Sequence, residues 1–156
     1  MNADNSARLR ESIRHLERKL GILDQNRFSC CGLASLAQCH ALVEIGRAGS
    51  LSLNELAAML DLDTSTMSRT VDKLVKAKLA RRDADENDRR YIRICLTSDG
   101  KKLYSVVEKE MAAYFEKVLS DIPEEKRGMV VESLALLCSA IDIEGGCGDT
   151  GRNKCQ

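Results

Sequence analysis

The chain has no tryptophan, and only three tyrosines and two phenylalanines among its 156 residues. That scarcity argues against a ligand pocket walled by aromatic rings. No apolar run approaches the roughly 20 residues that a membrane span needs. The N-terminal stretch MNADNSARLRES lacks the basic start and apolar core of a secretory signal. A soluble, cytoplasmic protein with no membrane partner is expected. Net charge is also absent: 24 basic residues face 24 acidic ones. The overall balance therefore predicts no nucleic-acid binding, and local clustering must decide it. There is no glycine-rich phosphate loop and no metal-hydrolase motif, and the two histidines, His15 and His40, lie far apart. A thiol oxidoreductase is conceivable from the cysteine count, but no Cys-x-x-Cys accompanies a βαβ pattern. The chain is not expected to be an enzyme.

What is present is 44% hydrophobic and 31% charged residues, in a chain long enough to bury one hydrophobic core without staples. Leu, Ala, Glu, Lys and Arg dominate, so the fold should be mainly α. Seven cysteines, an odd number in a reducing compartment, point to metal binding or redox reactivity rather than a disulfide framework.

Residues 6–26 carry Leu9, Ile13, Leu16, Leu20 and Leu23 at spacings of three and four, the stripe of a helix of about six turns. A second helix is predicted over 33–45, ended by GRAG. Ser52 and Glu55 in SLNE form a capping box for a short helix to Leu60, with Leu53, Leu56, Ala57 and Leu60 inward. After the turn DLDTS, Asp63 or Thr64 caps a further helix to about Lys78. Met67, Val71 and Leu74 give it a buried face, while Ser65, Thr66, Ser68, Arg69, Lys73 and Lys76 give it a donor-rich outer face. Two short helices, the second basic outside, are what a helix-turn-helix needs to lay one helix in a major groove.

Residues 79–83 and 91–97 read as two strands, since Ile92, Ile94 and Leu96 alternate with Tyr91, Arg93 and Cys95. Between them ADENDRR makes a polar hairpin tip, so Arg81, Arg82, Arg89, Arg90 and Arg93 gather in one ribbon. A charged hairpin alone would be read as a solvated surface. Directly after a helix-turn-helix it becomes a wing able to reach backbone and minor groove. LTSDG opens a long helix, capped by Thr97 or Ser98 and carrying Leu103, Val107, Met111, Tyr114 and Val118. The single proline, Pro123, stops it, and a last helix spans 129–143 with Val130, Leu134, Leu137 and Ile141 on a stripe. Long terminal helices without a partner inside so small a core suggest that two chains supply it for each other. The Gly-rich end EGGCGDTGRNKCQ reads as flexible.

This order of elements, the Asp88-Arg89-Arg90 triplet and the L-T-x-x-G of Leu96 to Gly100 resemble the MarR family of winged helix-turn-helix transcriptional regulators. The resemblance covers about residues 6–143. It implies a mainly α fold with a two-stranded β wing and long terminal dimerisation helices. Residues 1–33 and 101–145 would form the dimerisation region, 34–100 the DNA-binding domain, and 146–156 a cysteine-containing tail. The implied partners are a second copy of the chain and a pseudo-palindromic double-stranded DNA operator, with repression as the outcome. On this sequence the DNA-contacting residues would be Ser65, Thr66, Ser68, Arg69, Lys73, Arg82, Arg89 and Arg90. Arg69 is the leading candidate for base readout, because bidentate Arg to guanine is the commonest specific contact. Arg89 is similar to the family's minor-groove residue, and Asp88 with Arg90 to the pair that shapes the wing.

The resemblance does not name what is sensed. Cys30, Cys31 and Cys39 lie where a sensing pocket should border the second helix. Adjacent cysteines pair poorly with each other, but they can offer thiolates to one soft ion. With Cys39 they would suit As(III), Sb(III) or Cu(I). Zn(II) would take a fourth ligand from His40 or from Cys147 or Cys155 on the tail. Two rivals stay open. One is a peroxide-sensing redox switch, with Arg27 lowering the pKa of Cys30 and a tail cysteine resolving it. The other is that these cysteines are incidental and a different small molecule is sensed. Cys95 and Cys138 are expected to be small buried hydrophobes. From another class, a dimeric thiol-rich interaction or redox protein without DNA binding would tolerate a neutral wing, and this wing carries five arginines.

Overall fold

A computed structural model describes residues 3–22, 33, 35–85, 88 and 90–144. The elements run α1 (Ala3–Leu20), α2 (Leu36–Ala48), β1 (Ser50–Leu51), α3 (Leu53–Met59), α4 (Thr64–Lys76), β2 (Ala80–Ala84), β3 (Ile92–Leu96), α5 (Ser98–Ser120) and α6 (Glu124–Glu144). They fall into two compact units, residues 1–109 and 110–156.

In the first unit α1 ends earlier than its apolar stripe suggested. Gly21 takes a left-handed φ of 71°, and two bonds close the last turn, from Gly21 N to Arg18 O and from Ile22 N to Glu17 O. This is a Schellman motif, which only a residue free to adopt positive φ closes cheaply. Leu23, the last position of the predicted stripe, lies outside the described residues. α2 starts at its Ser35 cap, whose hydroxyl accepts from Gln38 N, and Leu33 is buried ahead of it. It also runs past Gly46, which does not stop it: a Cβ there would meet the Tyr104 ring at 2.6 Å, so the glycine admits α5 against α2. Gly49, at φ 79°, follows its end.

The sheet has three strands in the order β1-β3-β2, all antiparallel. The two-residue β1 is too short to show alternation, so the sequence suggests a two-stranded ribbon. It pairs Ser50 with Cys95 and Leu51 with Ile94. Ile94 and Leu96 are buried as their alternation predicts, but Ile92, at the wing end, is half exposed. Ala41, Leu42 and Ile45 of α2, Leu56 of α3, Met67, Val71 and Leu74 of α4 and Val107 of α5 close one core against Ile94 and Leu96. Leu53 and Leu60 pack at its edge. This core holds α3 and α4 rigidly against the sheet.

The second unit holds the rest of α5 and α6. Arg127 donates from Nε to Ile122 O at 2.9 Å and from Nη2 to Ser120 O at 3.4 Å. These are carbonyls that a helix C-terminus leaves unpaired. α6 begins directly after Pro123, five residues before the predicted start at Met129. Cys138, expected to be buried, is exposed within its own chain. Among the described residues no helix is long and apolar enough to cross a membrane.

Candidate nucleic-acid interface

α3 and α4 are each fixed at their N-termini by a carboxylate. Ser52 Oγ accepts from Glu55 N at 3.2 Å and Glu55 Oε2 accepts from Ser52 N at 2.7 Å, a complete capping box. Asp63 Oδ1 accepts from Thr66 N at 2.8 Å and from the Ser65 hydroxyl. The Ser65 hydroxyl foremost, then Thr66, holds the Asp63 carboxyl far below the usual range. The bonds from Ser52 lower that of Glu55. Both stay ionised at neutral pH, beside the positive ends of their helix dipoles.

On α4 the exposed residues Ser65, Arg69, Lys73 and Lys76 fall three or four apart, so they form one row along the helix. Met67, Thr70, Val71 and Leu74 are buried on the other side. Thr66 and Ser68 flank the row and are half-buried. Arg69 Nη2 donates to Thr66 Oγ1 at 3.2 Å, keeping the guanidinium on the outer face. These donors form a strip of positive and hydroxyl groups along one face of an α-helix, the element a major groove admits.

The four described arginines of the ribbon do not act as one cluster. Strand pairing places Arg81, Asp83, Arg93, Cys95 and Ser50 on one face of the sheet, and Arg82 on the opposite, helix-side face. Arg82 Nη2 pairs with Asp72 Oδ1 of α4 at 2.8 Å and so stands beside the exposed row. Arg81 pairs with Asp83 at 2.9 Å. Arg90 grips Asp88 with Nε to Oδ1 at 2.9 Å and Nη2 to Oδ2 at 2.7 Å, which lowers the Asp88 pKa. Arg93 turns toward β1 and α3 rather than outward. Such exposed pairs are worth little in water, so Arg81, Arg82 and Arg90 can exchange carboxylate for phosphate at small cost. Arg89 lies outside the described residues. Tyr91, expected only as a strand position, is 64% exposed beside the wing turn.

The thiol candidates are covered in part. Cys30, Cys31, Cys147 and Cys155, with Arg27, lie outside the described residues. Cys39 is half-buried against the core, and its neighbour His40 is exposed. Consecutive helical residues point about 100° apart, so these two do not face a common point. Among the described residues no three His, Cys, Asp or Glu side chains are grouped to hold a metal ion. Cys95, expected to be buried, is half-buried in the wall of a polar hollow of about 520 Å³ shared with Ser50, Arg81, Asp83 and Arg93.

The family model named MarR family matches residues 34–92, from just ahead of α2 to the first residue of β3. The HTH-type transcriptional regulator BilQ of Clostridium symbiosum is 30% identical over 93 residues, covering 60% of this chain and 65% of that protein. The HTH-type transcriptional repressor MdtR of Bacillus subtilis is 27% identical over 108 residues, 69% of this chain and 70% of that one. The chain thus spans about two thirds of the length of these curated relatives. Among solved structures, Streptococcus pneumoniae FabT in complex with DNA superposes with a TM-score of 0.78 at 18% identity, covering 88% of this chain and 97% of the other. At that identity it is the fold that is shared. Residues 34–92, with their helix-turn-helix and wing, are thus similar to the MarR family.

Proposed function

We propose that this protein is a transcriptional repressor that binds a pseudo-palindromic DNA operator as a homodimer, with α4 in the major groove and the wing over backbone and minor groove. The observation that carries it is the exposed row Ser65, Arg69, Lys73 and Lys76, flanked by Arg82, on a helix whose other side is locked into the core. FabT, which shares the fold, was solved in complex with DNA. Neutral net charge is no obstacle, since phosphate contacts need only a basic face. Arg69→Ala should weaken operator binding roughly 10- to 100-fold and relax preference at one base pair. Arg89→Ala should weaken binding across sequences and lower the salt slope by about one. A salt-controlled mobility-shift titration in which neither variant changes affinity would rule out this reading.

The sensed species is proposed to be a soft metal or metalloid, As(III) or Sb(III) foremost, held by thiolates of Cys30, Cys31 and Cys39 and completed by Cys147 or Cys155. What supports this is the concentration of thiols beside α2 in a chain nearly devoid of aromatic rings. Three soft sulfur donors match such ions better than they match hard cations. Native mass spectrometry of the reduced protein with As(III), Sb(III), Cu(I), Zn(II) and peroxide in turn tests it. A stoichiometric adduct that disappears in Cys30→Ser and Cys31→Ser is the expected result. Oxidation without any adduct would establish the redox switch instead, and silence throughout would leave the cysteines incidental.

A further inference from the structure

Among the described residues Arg93 is the most heavily engaged arginine of the ribbon, with its side chain only 28% exposed on the central strand. Nη2 donates to Ser50 O at 2.9 Å and to Ser50 Oγ at 3.2 Å, and Nε donates to the same hydroxyl at 3.3 Å. Nη1 donates to Glu55 Oε2 at 2.9 Å, the oxygen that also accepts from Ser52 N in the capping box of α3. On the wing side Arg93 Nε lies 3.8 Å from Asp85 Oδ2. Asp85 Oδ1 accepts from Asp88 N at 3.2 Å, and the Asp88 carboxylate grips Arg90. Backbone bonds from Asp85 N to Tyr91 O and from Tyr91 N to Asp88 O close the same turn. One line of polar contacts therefore runs from the first helix of the helix-turn-helix, through β3, to the turn that carries Arg90. A planar guanidinium can bridge three elements in this way, whereas an ammonium makes one point contact.

We infer that Arg93 is a positioning residue for DNA binding: without touching DNA, it fixes the aim of the wing relative to α3 and α4. This rests on the DNA-binding reading above and deepens it. The α4 row and the wing must reach their grooves at the same time. With the joint intact, the wing is ordered before the encounter. With it cut, the wing must be ordered on binding, at a cost taken from affinity. A direct phosphate contact by Arg93 makes the opposite prediction for its partner, because neutralising Glu55 would then release Arg93 to the DNA.

The test uses the full-length protein and an operator duplex selected by the wild-type chain from random DNA. Affinity is measured across a salt series, and hydroxyl-radical footprints are taken, for Arg93→Gln, Glu55→Gln, Arg93→Lys and the Arg93→Gln/Glu55→Gln double variant. Glutamine at 55 keeps the capping box, so Glu55→Gln answers the question even if Arg93→Gln folds poorly. Both single variants should bind about tenfold more weakly, and the double variant no more weakly than either, the mark of one shared joint. Protection should fade at the wing-contacted flanks while the α4-contacted centre stays covered. The salt slope should drop by about 0.9 for each phosphate that the wing no longer neutralises, and Arg93→Lys should not rescue. Unchanged affinity of Arg93→Gln overturns the inference. So does Glu55→Gln binding as tightly as wild type or tighter while Arg93→Gln is weakened, and so does an even decline of centre and flank protection that tracks the folded fraction. A wild-type chain that selects no duplex overturns the DNA-binding reading and this inference with it.

Discussion

At Gly100 the first turn of α5 passes so close to β2's entry that an added Cβ would overlap the carbonyl oxygen of Leu79. Three residues earlier Thr97 caps that turn, its hydroxyl accepting from Gly100 N at 3.0 Å and donating to Lys78 O at 2.7 Å. The L-T-x-x-G signature thus has a mechanical meaning. Leu96 is buried, Thr97 stitches α5 to the end of α4, and Gly100 permits the close approach. Gly100→Ala should destabilise the protein by about 1–3 kcal/mol, as overpacking does. A urea titration showing an unchanged midpoint would contradict this. The sequence displayed the motif, but Thr97 and Ser98 were equally good caps on paper. The choice between them depends on Lys78 and Leu79, which arrive from another element.

At the scale of elements, hydrophobic periodicity located every helix, and the core faces of α3 and α4 fell where the apolar spacing put them. The ends were less legible. The Schellman turn at Gly21 competes with an apolar pattern that continues past it, and Gly46 looks like a stop until Tyr104 is seen packing on it. The caps make a pH prediction. Folded, Asp63 and Glu55 hold their protons less tightly than in the unfolded chain. As pH falls below the ordinary carboxylate range near 4, the unfolded state takes up protons first. The stability these caps contribute is therefore complete above that range and drains away toward the lowered folded values. Asparagine caps a helix without titrating. Wild type should thus lose more urea resistance between pH 6 and pH 3 than Asp63→Asn does. Equal losses would show that the Asp63 charge is not coupled to folding.

At the scale of the whole molecule, large apolar side chains stand in the open. Leu9 and Leu16 of α1 are 47% and 46% exposed, and Leu134 and Leu136 of α6 are 47% and 67% exposed. Large apolar side chains left exposed on each of these helices are what an interface covers, which fits the proposed homodimer. Sedimentation should give twice the 17.3 kDa chain mass. Leu134→Glu should raise the dimer dissociation constant by about tenfold or more, equivalent to about 1.4 kcal/mol. A wild-type monomer at micromolar concentration would contradict it. By itself the sequence determined the helical class, the helix-turn-helix with its wing and the basic row on α4, because periodicity, caps and local charge are properties of neighbours along the chain. Tertiary structure decided which ribbon arginines face outward, since the pleat and strand pairing separate Arg82 from Arg81 and Arg93. It also turned Arg93 from an expected wing charge into the joint between β3, Ser50 and Glu55, a role that exists only once residues some 40 positions apart are brought within hydrogen-bonding distance.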